Sequence, residues 1–464
     1  MPRLLIAGLS GGSGKTLGTM GLALLLRRAG IEVRAFKKGP DYIDPLWLAW
    51  ASGHPARNLD AYLMGDDVAR SSFLRHATSD GINLIEGNRG LFDGVDAAGT
   101  YSSAALARTL DTPILLVIDA TKMTRTAAAL VLGCQKLAPP GLIQGVVLNN
   151  VNGERHERVL REAIEQECAI PVVGALPRMR SNPLPERHLG LVPPDEHEEM
   201  DGVTQTLLGW MENRIGLDAL LSIARSAPQL DCFAELRTPL PGAQGLKIGY
   251  LRDAAFSFYY PENLEALELA GAELVRVSAL DAPTLPAGLH ALYIGGGFPE
   301  THAGALSTNT GFLNSLREAC AAGLPVYAEC GGLMLLTRSL IWKGIRYPMA
   351  GVFPADVEAF GKPQGHGYSE IVVDTMNPFF PRGFHTRGHE FHYSRIVSGS
   401  EGLASAYAVS RGTGCFAGRD GLIAHNTMAS YTHLHAAATP EWAAGMIAAA
   451  NEFAARTRCD SVMT

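Results

Sequence analysis

The sequence predicts an α/β protein with two large domains, each built on a mostly parallel sheet. Three observations support this prediction. At 464 residues the chain is too long for one compact core. Short apolar runs alternate with amphipathic helical segments in both halves, a pattern typical of doubly wound sheets. The alternation lapses from about Ser181 to Gly245, where prolines and an acidic run indicate a connector.

Composition indicates a globular protein that works in the cytoplasm. Hydrophobic residues make up 47% of the chain and charged residues 18%. The net charge of −7 and the lack of a basic tract argue against nucleic acid or an anionic membrane as partner. No apolar run reaches the roughly eighteen residues of a spanning helix, and the N-terminus enters a strand without a leader. The seven cysteines are scattered without C-x-x-C spacing, so we expect them to be reduced.

The first half contains six strand candidates with helices between them. The predicted strands are Leu4–Ala7, Val33–Phe36, Ile82–Glu86, Ile114–Asp119, Gly145–Asn149 and Val172–Ala175. Thr124–Leu137 and Glu154–Glu167 fit two of the intervening helices. Ligands of such a sheet gather at the carboxyl ends of its strands, so the polar residues at those ends are the candidate site.

The first strand runs into a glycine-rich turn that we interpret as a phosphate-binding loop. Backbone N–H groups can curl around an anion there, Lys15 can reach terminal phosphates, and the Thr16 hydroxyl can take a Mg²⁺ position. Leu9 stands where the strict pattern has glycine. The predicted nucleotide-binding residues are Ser10, Gly11, Gly12, Ser13, Gly14, Lys15 and Thr16.

Carboxylates follow two apolar strands near this loop. Asp41 and Glu86 stand where a bound Mg²⁺ would be held, although acids also cap turns routinely. For Asp44 and Asp93 a substrate contact and a metal contact remain equally open. The strand that ends in an Asn pair at Asn150 can read a purine edge by paired hydrogen bonds, or can simply form a turn.

The second half repeats the alternation and adds a sharp strand-to-helix turn at Cys330. Its predicted strands are Leu246–Leu251, Glu273–Val277, Ala291–Ile294 and Pro325–Ala328, and its predicted helices include Pro261–Ala270 and Leu306–Ala322. A Cys between small residues at such a turn is typical of an exposed nucleophile. We expect the backbone N–H groups of Gly331 and of Gly296 to stabilise an oxyanion.

The base that activates Cys330 is expected near the end of the chain. The run S-Y-T-H-L-H offers His433 and His435, which would point the same way if Ser430–His433 were a strand. His389 and His392 form a second polar cluster, but their spacing differs from the i, i+4 histidines of a metalloprotease helix.

Several motifs together resemble the cobyrinic acid a,c-diamide synthase family, which includes sirohaem and nickel-sirohydrochlorin a,c-diamide synthases. The phosphate loop itself is similar to those of dethiobiotin-synthetase and MinD-like ATPases, with Ser10 in place of the Lys that many of them carry. The other motifs are F-K-K-G-P-D-Y-I-D-P (36–45), E-G-N-R-G-L-F-D-G (86–94), A-F-S-F-Y-Y-P-E-N-L (255–264), A-E-C-G-G (328–332), G-H-E-F-H-Y-S (388–394) and S-Y-T-H-L-H (430–435).

The resemblance implies a dethiobiotin-synthetase-like ATPase domain followed by a flavodoxin-like, class I-type glutamine amidotransferase domain. We expect an ATP-binding amido-ligase domain over 1–190, a connector over 191–244, an amidotransferase domain over 245–455 and a tail over 456–464. In this family ATP, Mg²⁺ and glutamine-derived ammonia serve to amidate carboxylates of a tetrapyrrole.

Roles of single residues follow from the same resemblance. Cys330 matches the glutaminase nucleophile and His433 the histidine that activates it. The ligands implied for Mg²⁺ are Thr16, Asp41 and Glu86, and Lys37 and Asp93 are implied to lie near the reacting carboxylate. Ala328 stands where the usual elbow has Gly. No acid follows two residues after His433, so we expect a Cys–His pair.

The predicted function is ATP- and glutamine-dependent amidation of the a and c acetate carboxylates of a corrinoid through an acyl phosphate. Sirohaem or nickel sirohydrochlorin as the substrate is the alternative within this class. A MinD-like nucleotide switch is the alternative of another class, and it would leave Cys330 unexplained. The expected partners are L-glutamine and the tetrapyrrole, with a homodimer left open and no nucleic acid or membrane.

Overall fold

The computed structural model describes residues 1–179, 181–184, 186–187, 190–197, 199–230 and 240–463, with the side chains of 186–187, 190, 195 and 459–463 excepted. The chain divides into two compact units, Met1–Leu236 and Arg237–Thr464. Among the helices described, none is both long and apolar enough to cross a bilayer.

The first unit is built on a seven-stranded parallel sheet with the strand order β3-β2-β4-β1-β5-β6-β7. These strands are β1 Arg3–Gly8, β2 Val33–Lys38, β3 Arg57–Leu59, β4 Ile82–Gly90, β5 Ile114–Asp119, β6 Ile143–Val151 and β7 Val172–Pro177, and a small hairpin follows with β8 Glu186–Arg187 and β9 Gly190–Leu191. The helices are α1 Lys15–Arg28, α2 Ile43–Ser52, α3 Ala61–His76, α4 Ser103–Thr109, α5 Thr126–Leu137, α6 Glu154–Cys168, α7 Met200–Met211 and α8 Leu217–Arg225, with a 3-10 helix at Pro194–Glu196.

All six strands predicted in this half are present, and β3 adds a seventh. The sequence analysis missed β3 because three residues are too few to show a periodicity. β4 continues four residues beyond its predicted end at Glu86, to Gly90.

Two helices of the expected connector belong to the first unit. α7 packs along α1, where a Cβ at Gly21 would lie 2.9 Å from the side chain of Met211. α8 contacts β1, β6 and β7. We expected the first domain to end at 190 and a connector to cover 191–244. In the structure, α7 and α8 instead pack their buried apolar faces on the first unit and belong to it. Residues 198 and 231–239 of that expected connector lie outside the described residues.

The second unit is built on a nine-stranded sheet with the order β12-β10-β13-β15-β24-β23-β22-β19-β20. Its strands from β12 to β24 run parallel, whereas the pairs from β24 through β20 are antiparallel. The strands of this unit are β10 Lys247–Leu251, β11 Phe256–Phe258, β12 Glu273–Val277, β13 Ala291–Ile294, β14 Gly296–Gly297, β15 Val326–Glu329, β16 Thr337–Trp342, β17 Ile345–Pro348, β18 Phe353–Ala359, β19 Gly365–Val373, β20 His385–His392, β21 Ser394–Ser398, β22 Ala404–Arg411, β23 Arg419–Ala424 and β24 Thr427–Ser430. Its helices are α9 Pro261–Leu269, α10 Ala303–Thr308, α11 Thr310–Ala321, α12 Gly331–Leu336 and α13 Pro440–Met463.

The four strands predicted in this half form the parallel part of the sheet together with β24. The antiparallel part was not predicted. The expected helix Leu306–Ala322 is interrupted at Asn309, whose side chain caps α11 by accepting from the N–H of Phe312. The expected tail, 456–464, continues α13, although its side chains from residue 459 and all of residue 464 lie outside the described residues.

Candidate active sites

The phosphate loop closes at the start of α1, and glycine is required there. Gly14 precedes α1 with a φ of 89°, a left-handed conformation that favours glycine. A Cβ at Gly14 would lie 2.3 Å from Nδ2 of Asn149, and this amide donates to the carbonyl of Ser13 at 3.0 Å. Asn149 therefore supports the loop from the end of β6, a role that the sequence analysis missed because it considered the neighbouring Asn150.

Lys15 lies inside this loop. Its ammonium donates to the carbonyl of Ser10 at 2.8 Å and to the Ser13 hydroxyl at 3.4 Å. Burial, followed by the charge of Lys37, lowers the pKa of Lys15. A bound phosphate would supply the negative charge that these contacts lack.

Ion pairs and a hydrogen bond connect the phosphate loop with residues at the ends of β2 and β4. The Lys37 ammonium lies 2.5 Å from Oδ2 of Asp44 and 2.6 Å from Oε1 of Glu86. Oε1 of Glu86 also accepts from the Thr16 hydroxyl at 2.9 Å. Burial alone would lower the pKa of Lys37, but Asp44, Glu86 and Asp41 raise it overall, so Lys37 stays charged.

The predicted Mg²⁺ ligands fit a cation. Glu86 is 0% exposed, and its Oε2 is sealed without a hydrogen-bond partner, so a cation there would satisfy it. Oδ1 of Asp41 accepts from the N–H of Ile43 at 2.8 Å, and burial followed by Asp44 raises the pKa of Asp41. The described residues contain no group of three or more His, Cys, Asp or Glu side chains suited to a metal. A Mg²⁺ ion would therefore need the Thr16 hydroxyl, water or phosphate oxygens as well.

Asp93 and Asn150 lie at the same edge of the sheet but have local partners. Asp93 is exposed and accepts from the N–H of Gly90 at 2.9 Å, which closes the turn after β4. Asn150 has a φ of 60° and donates to Asp119 at 3.0 Å. Their roles toward substrate and purine stay predictions.

In the second unit, Cys330 forms the sharp turn between β15 and α12. Its φ of 48° and ψ of −97° are strained for a residue with a side chain, as at nucleophile elbows. Its N–H donates to the carbonyl of Ser430 at 2.7 Å, which fixes the turn against β24. Burial, and then the carboxylate of Glu300, raise the pKa of the Cys330 thiol, whereas the N–H of Gly331 opposes the rise by bonding the sulfur. Cys330 therefore needs a base.

The glycine loop after β13 lies close to the turn at Cys330, backbone against backbone. A Cβ at Gly331 would lie 3.0 Å from the backbone nitrogen of Gly297. A Cβ at Gly296 would lie 2.8 Å from Cε1 of His433. The backbone of Gly296 and Gly297 thus contacts both the nucleophile turn and the histidine, as an oxyanion loop would.

His433 has an acidic partner that the sequence analysis did not find. Oε2 of Glu329 lies 3.4 Å from Nδ1 of His433, and Glu329 is 0% exposed. Glu329 also accepts from the Tyr293 hydroxyl at 3.0 Å and from the N–H of Leu434 at 3.0 Å. The expectation of a Cys–His pair without an acid is therefore corrected, because the sheet brings the residue before Cys330 to the histidine.

His435 lies in a different environment from His433. β24 ends at Ser430, so the expected strand Ser430–His433 is not formed. The His435 ring packs on Tyr260 at 4.4 Å between centroids, and its Nε2 lies 3.6 Å from Glu262. These contacts favour His433 as the base.

His389 supports the His433 ring. The two rings stack at 5.0 Å between centroids with an interplanar angle of 20°. Their backbones exchange hydrogen bonds of 2.8 and 3.2 Å, and the Tyr260 hydroxyl lies 3.2 Å from Nδ1 of His389. Burial, and then His433, lower the pKa of His389 well below its usual value, so His389 is neutral.

The 255–264 motif explains how the histidine segment is held. Nδ2 of Asn263 donates to the carbonyl of Leu434 at 2.9 Å, and Oδ1 accepts from the N–H of Ala436 at 2.7 Å. Because the nitrogen and the oxygen of the Asn263 amide both bind the segment that carries His433, this motif positions His433.

Comparisons with known proteins agree with two functional units. Residues 4–192 match the model of the CobQ/CobB/MinD/ParA nucleotide binding domain, and residues 247–441 match that of the CobB/CobQ-like glutamine amidotransferase domain. A Magnetococcus marinus protein named cobyrinate a,c-diamide synthase is 45% identical over 96% of each chain. Proteins of the same name from Syntrophotalea carbinolica, 40% identical over 95% of this chain and 96% of its relative, and from Archaeoglobus fulgidus, 39% identical over 94% of each chain, are also similar.

Proposed function

The chain belongs to the cobyrinate a,c-diamide synthase family, and we propose that it amidates the a and c acetate carboxylates of cobyrinate with ATP and glutamine. The observation that carries this proposal is the set Cys330, His433 and Glu329 in a chain that also holds a phosphate loop. The set of Cys330, His433 and Glu329 supplies ammonia from an amide, and the nucleotide bound at the phosphate loop activates a carboxylate. The match to relatives of this name over nearly the whole chain favours cobyrinate over sirohaem or nickel sirohydrochlorin, and an enzyme over a nucleotide switch.

Glutamine is hydrolysed in the second unit. Glu329 accepts from Nδ1 of His433 and so fixes the tautomer in which Nε2 takes the thiol proton of Cys330. The thiolate attacks the amide carbon of glutamine, and backbone N–H groups of Gly331 and of the Gly296–Gly297 loop stabilise the oxyanion. His433 returns the proton to the leaving ammonia, and water then hydrolyses the thioester to glutamate and the free thiol.

A substrate carboxylate is activated in the first unit. Its oxygen attacks the γ-phosphorus of ATP, which gives an acyl phosphate and ADP. Ammonia then attacks the acyl carbon, and phosphate leaves. Lys15 and Lys37 offset the negative charge that gathers on the transferred group, and Asp44 and Glu86 hold Lys37 in place.

A Mg²⁺ ion is part of the proposal. Thr16, Glu86 and Asp41 would hold it, and it would neutralise phosphate charge and orient the transferred group. We further propose that the enzyme works in the cytoplasm, since the described cysteines are free thiols, as in a reducing compartment.

An amidation assay tests the function directly. The purified protein is incubated with ATP, Mg²⁺ and amide-¹⁵N glutamine against cobyrinate, sirohaem and nickel sirohydrochlorin in parallel. We expect two ¹⁵N atoms to enter cobyrinate, read by mass spectrometry, and little turnover of the other two macrocycles. Preferential amidation of sirohaem or nickel sirohydrochlorin would overturn the assignment of substrate.

A further inference from the structure

Lys38 is a buried cation that directly follows Lys37 in β2. Lys38 is 9% exposed, and no hydrogen bond or ion pair between the described residues involves its side chain. Successive residues of a strand point to opposite faces, so Lys38 faces away from Asp44 and Glu86, which neutralise Lys37. Its ammonium is not among the fully sealed polar atoms of the described residues, and a ligand would approach it through the 9% of Lys38 that is exposed.

Arg89 brings a second positive charge to the same place. β2 and β4 are neighbouring parallel strands in which Lys37 pairs with Glu86, so Lys38 and Arg89 both follow at their carboxyl ends. A Cβ at Gly39 would lie 3.1 Å from Nδ2 of Asn88, which places the two chain segments in contact. Arg89 is exposed and has a φ of 52°, a conformation that costs energy for a residue with a side chain.

The acid that acts on Lys38 is already engaged elsewhere. Oδ1 of Asp60 accepts from the N–H groups of Tyr62 at 2.9 Å and Leu63 at 3.1 Å, so Asp60 caps α3. Burial lowers the pKa of Lys38, Asp60 opposes this effect, and Arg89 adds to it. Directly beyond the cap, the rings of Tyr62 and Tyr101 meet edge to face at 5.5 Å between centroids.

We propose that Lys38 and Arg89 form a carboxylate-binding subsite, which holds a non-reacting acidic side chain of the substrate while another carboxylate is phosphorylated near Lys37. This inference rests on the proposed function, whose substrate carries at least the a and c carboxylates on one macrocycle. Burying an ammonium without a partner is unfavourable, and a substrate carboxylate would supply the missing charge. The subsite fixes the macrocycle relative to the reacting group and so favours polycarboxylate substrates.

The test compares Lys38→Met and Arg89→Met with Lys136→Met, which removes the same charge from an exposed position on α5. Ammonia-dependent amidation is measured so that the second unit does not contribute. Loss of one charge-assisted bond is expected to raise KM for cobyrinate roughly tenfold to a hundredfold in each subsite variant, with KM for ATP unchanged. Lys136→Met should match the wild type.

Thermal unfolding separates a binding role from a structural one. Lys38→Met removes a buried charge that makes no direct ion pair, so its Tm should equal or exceed that of the wild type. An unchanged KM for cobyrinate in both subsite variants would overturn the proposal, as would a rise confined to KM for ATP. A lowered Tm of Lys38→Met together with a general loss of kcat would also overturn it.

Binding is read separately from turnover. Isothermal titration of cobyrinate into the nucleotide-free wild type and Lys38→Met gives two dissociation constants. If the wild type binds cobyrinate tenfold more tightly but does not amidate it, the proposed function fails and the subsite stands. Equal constants, or no binding to either protein, overturn the subsite.

Discussion

Oε2 of Glu329 lies 3.4 Å from Nδ1 of His433, although Glu329 directly precedes Cys330, the proposed nucleophile, in the chain. In the proposed mechanism, the end of β15 thus supplies both the attacking sulfur and the acid that orients the base. Along this chain the acid comes first, then the cysteine and then the histidine, whereas the sequence analysis looked for an acid after the histidine. Geometry and role, not sequence order, define such a set.

Glu329→Gln should lower glutamine-dependent amidation by about a hundredfold or more, because His433 loses the charge that stabilises its protonated form. The amide keeps an oxygen for the N–H of Leu434, so the fold should persist. Steady-state kinetics with glutamine and with ammonium chloride check this, and Glu318→Gln, which changes an exposed acid on α11, is the control. An equal loss with both nitrogen sources would contradict the role.

Cys330→Ala should abolish glutamine-dependent amidation and spare the ammonia-dependent reaction. The Cys330 thiol is the group proposed to form the acyl-enzyme, and no other described thiol lies at the strand-to-helix turn. Release of glutamate and formation of the amide are measured in parallel. A parallel loss of both reactions would mean that the two chemistries are not divided between the units as proposed.

Glu86→Gln should lower amidation by about a hundredfold with either nitrogen source, because Lys37 and Thr16 lose a shared charged partner. Glu162→Gln, at an exposed position on α6, should behave as the wild type. Titration of Mg²⁺ in both variants adds a second readout, since only Glu86→Gln should need more of the ion. An unchanged Mg²⁺ requirement would argue against Glu86 as a ligand.

His389→Gln should make the second unit less sensitive to acid. The pKa of His389 in the fold lies well below its value in the unfolded chain, so the unfolded state binds more protons and stability falls as pH drops through about 6.5. Gln does not titrate and can still bond the Tyr260 hydroxyl. The decrease in Tm between about pH 7.5 and about pH 5.5 should be smaller in the variant than in the wild type. An identical decrease would show that His389 does not contribute.

Local sequence signals were sufficient for the phosphate loop and the Cys330 turn. In both places a strand, a turn of small residues and a helix follow one another directly, so the geometry is contained in a few residues. The parallel strands other than β3 and β24 were also recognisable, because they are short apolar runs.

Relationships between distant segments were beyond such reasoning. The contacts of Glu329 with His433 and of Asn149 with the phosphate loop join residues about a hundred positions apart. The strands from β16 to β23 alternate apolar with polar residues and lack the helices that mark a parallel unit. Their pairing, which is antiparallel except between β16 and β18, was therefore missed. The contact of Glu329 with His433 could be predicted only if β15 and β24 were known to be neighbouring strands.

The packing of α7 on α1 limits how this polypeptide can be dissected. A fragment that stops at residue 190 would leave Gly21 without Met211 and would expose an apolar groove on the helix that begins at Lys15. An expression vector for the amino-terminal half should therefore continue through Arg225, so that the recombinant piece retains both covering helices. Shorter truncations would aggregate before their affinity for nucleotide could be measured.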